Sequence, residues 1–156
     1  MPARAPNINR SRVHEEMVQR LVSKLAGMPR ALFPTIRELL CFAALLGYSE
    51  KRRTPLDKND GVEDVSYQQF ERGDAEDLIW LIALAEMKDT EILKDGEEGR
   101  CAEIFEEYAN GGLFILREVL QRSGGEYPDR AIVDALHEMK YLTGDDTEPD
   151  LSSLKF

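Results

Sequence analysis

Residues 33–56 read FPTIRELLCFAALLGYSEKRRTPL, and this stretch limits the possible folds more than any other. Ile36, Leu39, Leu40, Ala43, Ala44 and Leu46 leave Arg37 and Glu38 as the plainly polar positions. A helix that is apolar nearly all round has to be covered on most sides, so this one is expected at the centre of a packed domain. Pro34 suits the first helical position, and Gly47 is expected to supply the left-handed stop. Directly after it comes a compact cation cluster, Lys51-Arg52-Arg53. A core element therefore ends by presenting positive charge.

The rest of the chain reads as further helices. Val13, Met17, Leu21 and Leu25 fall at four-residue steps within residues 11–26, which Gly27 and Pro29 end. A third helix is expected after Asp74, an N-cap residue type, and its run Leu78, Ile79, Trp80, Leu81, Ile82, Leu84, Ala85 reads as buried. Residues 98–109 place Ile104, Phe105 and Tyr108 on an inner face, with Glu103, Glu106 and Glu107 outward. Asn110-Gly111-Gly112 is expected to break or bend that helix before a fifth over residues 113–121. A sixth starts near Pro128-Asp129. The segment 48–73 is the largest irregular one, and Val65–Phe70 within it reads equally as a short helix or a short strand. The expected architecture is all-α: one domain, a compact bundle of about six helices over residues 11–142. A flexible basic arm (residues 1–10) precedes it and an acidic tail (residues 143–156) follows.

Charge divides unevenly. The net charge is −10, yet residues 1–55 carry a balance of +6 and residues 56–156 one of −16. Such asymmetry points either to nucleic-acid contact or to two faces meeting different partners; the plainer reading is two solvated surfaces of one fold. No apolar run approaches the ~20 residues that span a bilayer, and the N-terminus has no apolar signal region, so a cytoplasmic protein without membrane contact is expected. Cys41 and Cys101 lack Cys or His neighbours at metal-ligand spacing and are expected to be buried thiols.

Catalytic signatures are missing. There is no phosphate-cradling GxxxxGK[ST], no GxGxxG after a strand and no GxSxG elbow. Of the two histidines, His14 is expected to be exposed on the first helix and His137 sits between Leu136 and Glu138; neither is positioned by its neighbours as a base. Glu103 and Glu107, four apart with Glu106 beside them, offer the carboxylates a metal nuclease needs, but a solvated helix face explains the same spacing. The acidic group Asp145, Asp146, Glu148 and Asp150 lacks the Gly and closing Glu of a calcium loop. No enzyme activity, cofactor or metal is expected.

The basic group carries the functional expectation. Lys51, Arg52 and Arg53 either cap the last carbonyls of their helix or contact phosphate in a sequence-independent, salt-sensitive way. Arg10 and Arg12 on the arm, with Arg30 and Arg37, are the cations that could join the same DNA footprint.

The segment FPTIRELLCFAALLGYSEKRR, followed by LIWLIALA and then IFEEYANGGLFILRE, resembles the DNA phosphorothioation-associated protein 4 family, the Dnd system-associated small proteins. The resemblance covers roughly residues 11–122 and carries no catalytic signature. It implies association with bacterial systems that place sulfur in the DNA backbone and restrict DNA lacking it, hence an accessory role in antiphage defence. The family's Gly-Tyr-Ser-basic junction falls on Gly47, Tyr48, Ser49, Lys51, Arg52 and Arg53. Two roles follow: a non-catalytic regulator contacting the DNA backbone alongside other subunits of the system, or a protein-interaction subunit that docks a larger nuclease or ATPase without touching DNA.

Overall fold

One continuous helix of 25 residues, α5 (Glu98–Arg122), forms the axis of the computed structural model, which describes residues 6–143. In chain order it is preceded by β1 (Ile8–Ser11), α1 (Glu15–Val22), α2 (Ile36–Ser49), β2 (Val62–Val65), α3 (Tyr67–Arg72) and α4 (Glu76–Met87), and followed by α6 (Pro128–Glu138). Short 3-10 turns occupy Arg12–His14, Lys58–Asp60 and Thr90–Leu93.

The expected break at Asn110-Gly111-Gly112 does not occur, because all three lie buried inside α5. Two helical glycines cost about 1 kcal/mol each relative to alanine. Here the missing side chains let α2 and α5 approach until their backbones touch. A Cβ on Gly112 would collide with the Ala43 carbonyl oxygen, one on Gly111 with the Arg52 carbonyl, and one on Gly47 with the Tyr108 carbonyl. Gly47 is therefore an interior residue of α2 and not its stop. The left-handed residue is Lys51, at φ 56°. The α2–α5 contact is the most extensive between any two elements, and Leu39, Leu40, Ala43, Ala44, Leu113 and Leu116 are all buried in the core around it. Burial of each such leucine is worth about 2 kcal/mol, enough to outweigh the glycine cost.

α2 begins at Ile36, two residues beyond the expected Pro34, and Thr35 caps it: its hydroxyl accepts the Glu38 N–H at 3.1 Å. Asp74 is not the N-cap of α4; it adopts a left-handed conformation (φ 52°), and Ala75 occupies that place without a side-chain cap. Within α4, Ile79, Ile82 and Ala83 face the core, whereas Leu81, expected to be buried, is 59% exposed.

The all-α expectation is corrected by a two-stranded antiparallel sheet that pairs Ile8 with Val65 and Ser11 with Val62. Four residues per strand are too few to show period-2 alternation, and the pair exists because it docks on α5. The undecided segment 65–70 is both things in turn, since Val65 ends β2 and Tyr67 opens α3. Residues 8–10, expected in the flexible arm, form the strand. Residues 1–5 and 144–156, half of the expected arm and nearly all of the expected tail, lie outside the described residues. Among the described helices none is long and apolar enough to cross a membrane.

Candidate functional site

The chain leaving α2 is fastened to α5 by backbone first. The last carbonyls of α2 are taken by main-chain donors (Glu50 N–H on Leu46, 2.9 Å; Arg52 N–H on Gly47, 2.8 Å), so the basic side chains are not needed as caps. Thr54 N–H then donates to the Glu107 carbonyl at 3.0 Å. Arg52 makes a bidentate pair with Glu118, at 3.0 and 2.9 Å, and its guanidinium lies 5.7 Å from the Phe114 ring centre. That guanidinium holds the Glu118 carboxyl below its usual range. Arg53 bridges Glu107 at 2.6 Å and Glu86 at 3.1 Å, and Glu86 also accepts the Tyr108 hydroxyl. Two of the three clustered cations thus meet carboxylates of α4 and α5.

The other expected DNA contacts are dispersed. Arg10 is 6% exposed and paired with Glu15 at 2.9 Å, so it is no arm residue reaching outward. Arg12 pairs with Glu63 across the sheet at 2.9 Å. Arg37 donates to the Gln69 carbonyl at 2.9 Å and lies where a side chain on Gly73 would have to go. Lys51 and Arg30 are exposed and make no ion pair among the described residues.

Asn110 is the residue the sequence most concealed. Its side-chain amide donates to the carbonyls of Thr54 (3.1 Å) and Pro55 (3.3 Å), and its Oδ1 meets His14 Nε2 at 2.9 Å. Those two donor bonds fix Oδ1 as the acceptor, which places the imidazole proton on Nε2. His14, expected to be exposed, is 1% exposed and stands edge-on to Phe114. Burial lowers its pKa, outweighing the Asn110 bond, and the neighbouring Arg117 charge acts in the same direction as burial. A neutral histidine with Nδ1 buried and unpartnered holds structure together and has no route to a substrate. Cys41 is half-buried, with burial pushing its thiol to about 11, and the buried Cys101 donates to the Ile92 carbonyl at 3.3 Å. Neither is an activated nucleophile.

Between the sheet and the N-terminal half of α5 runs a groove of about 630 Å³. Pro55, Leu56, Val62 and Ala102 give it apolar walls, and Glu103, Glu106 and Glu107 line the α5 side. These carboxylates, expected to be a solvated face, differ from one another. Glu103 is exposed; Glu107 is 13% exposed and held by Arg53. Glu106 is half-buried and accepts the Asn9 N–H at 2.8 Å. Burial pushes its pKa up to about 7, with the Asn9 bond opposing and the Glu103 and Glu107 charges adding. Among the described residues, no group of three or more His, Cys, Asp or Glu is placed to hold a metal ion.

No curated protein and no solved structure matches this chain. The sequence pattern of one family, described as DNA sulphur modification system-associated protein 4, matches residues 7–154. That match takes in β1, the α2–α5 crossing, the junction and the groove together, extending the resemblance read from three helical segments to nearly the whole chain. The chain belongs to the DNA sulphur modification system-associated protein 4 family.

Proposed function

We propose that this protein is a non-catalytic assembly component of a DNA sulphur modification system, working by contact with other protein components in modification-dependent restriction and phage defence. One observation carries the choice over direct DNA contact: Arg10, Arg12, Arg52 and Arg53 each pair with a carboxylate of the same chain. A phosphate would have to displace those carboxylates, and the chain's net charge of −10 opposes the approach of a polyanion. Burial of His14 and the absence of an activated thiol support a role without chemistry.

The test is co-expression of the full chain with the other components of its modification system, alongside titration of sulfur-modified and unmodified duplex at about 50 mM salt. Stable co-purification with at least one component and no DNA affinity at that salt is the expected result. The competing reading, a backbone contact at the junction, draws on the outward Lys51, set by its left-handed backbone. It requires salt-sensitive binding on any sequence that is lost in the Lys51→Ala/Arg52→Ala/Arg53→Ala variant, and that outcome would overturn the proposal.

A further inference from the structure

The groove beside α5 combines two properties. Its walls are apolar at Pro55, Leu56 and Ala102, and one side carries carboxylates at Glu103 and Glu106. Neither carboxylate makes an ion pair among the described residues, although Lys58 stands on the rim. The next carboxylate along this helix face, Glu107, is by contrast held by Arg53. Glu106 is half-buried in the groove wall and accepts the Asn9 N–H. A partly desolvated carboxylate that has no ion-pair partner is stabilised by any positive group that comes beside it.

We propose that this groove receives arginine- or lysine-bearing side chains from an extended segment of a partner protein, their aliphatic stems on the apolar walls and their charged heads at Glu103 and Glu106. Long basic side chains have this division between an apolar stem and a polar tip. An arginine head also carries paired donors that match a carboxylate. A nucleic acid is the wrong sign for the site. The elevated pKa of Glu106 agrees with the geometry, because an entering cation would draw that proton off. The identity of the partner as a component of the modification system rests on the assembly reading above; the chemistry of the groove does not.

The experiment therefore has two arms, both with the full chain. In the first, a short capped peptide rich in arginine is titrated at about 0.15 M salt into the protein, into Glu103→Gln/Glu106→Gln, and into the charge-matched control Glu126→Gln/Asp134→Asn. Glutamine keeps an acceptor for the Asn9 N–H, and thermal melts confirm that each variant is folded. The expected result is an affinity loss of roughly 5–10-fold for the groove variant, as two partly exposed ion pairs would give, and less than about 2-fold for the control. Equal losses in both, or no loss in the groove variant, would overturn the proposal, since binding would then reflect net charge or another surface. In the second arm, the groove variant replaces the native chain in co-purification with the modification-system components. Complexes that form with the native chain and persist with the variant refute the groove and leave the assembly reading intact. Peptide binding that depends on the groove, with no complex even for the native chain, refutes the assembly reading and leaves the groove.

Discussion

Gly112→Ala separates two forces acting on the same atom. In an isolated helix the change is favourable by about 1 kcal/mol. In this fold the new methyl would point at the Ala43 carbonyl oxygen, far inside the roughly 3.5 Å at which such atoms touch. The obstacle is backbone in the middle of α2, so no side-chain rotation relieves it. Either α2 withdraws by on the order of 1 Å, loosening its packing along Leu39, Leu40 and Ala43, or the helix ladder distorts. Overpacking against rigid surroundings costs about 3 kcal/mol, the upper end of the usual range, so the net loss after the propensity gain is about 2 kcal/mol. For a chain of this size that lowers Tm by roughly 4–8 °C. Gly99→Ala is the paired control: it lies in the first turn of α5 with no atom within 4 Å of a built Cβ, and should leave stability unchanged or raise it by up to about 1 kcal/mol. Urea denaturation followed by circular dichroism, with thermal melts, measures both. If Gly112→Ala proves neutral or stabilising with an unchanged m-value, the close-approach explanation for the uninterrupted helix is wrong.

Two further predictions concern polar groups held out of water. Asn110→Ala removes the donors to the Thr54 and Pro55 carbonyls and leaves His14 Nε2–H without its acceptor, so a loss of about 2–4 kcal/mol is expected in the same denaturation assay. A loss below about 0.5 kcal/mol would mean that water replaces the amide freely. For Glu106 the folded pKa lies above the ordinary carboxylate value, so its contribution is fully present below about pH 4.5 and is lost as pH rises through about 7. Glu106→Gln should therefore stabilise the protein by about 1–3 kcal/mol at pH 8. Its advantage should shrink steadily towards pH 5, and a pH-independent difference would contradict the burial of that carboxylate.

What could be read from the sequence follows from which interactions are local. The apolar faces of α2 and α5 repeat within a few residues, so Leu39, Leu40, Ile104 and Phe105 are recognisable as core before any coordinates. The Gly-Gly pair was misleading because local propensity sees its flexibility, while the structure uses its lack of volume against a helix some 65 positions earlier in the chain. The arginines misled similarly: Arg52 and Arg53 look like a free basic patch until Glu118, Glu107 and Glu86 arrive from 66, 54 and 33 residues away. β1 left almost no trace, since a strand of four residues with a buried arginine resembles a polar arm. Asn110 did leave a signal, a polar residue inside an otherwise apolar helical run, but turn chemistry accounts for Asn-Gly-Gly equally well until its hydrogen-bond partners are known.

The position of α5 also governs the order in which this protein can be made. Emerging from a ribosome, the opening strand lacks its antiparallel mate until residue 65 and the helix it rests on until more than a hundred residues have been polymerised. Before that, α2 lacks the partner that covers most of its apolar surface, a state that invites helper proteins or aggregation. Fragments that stop short of residue 122 should accordingly behave as chaperone clients and not as miniature versions of the whole.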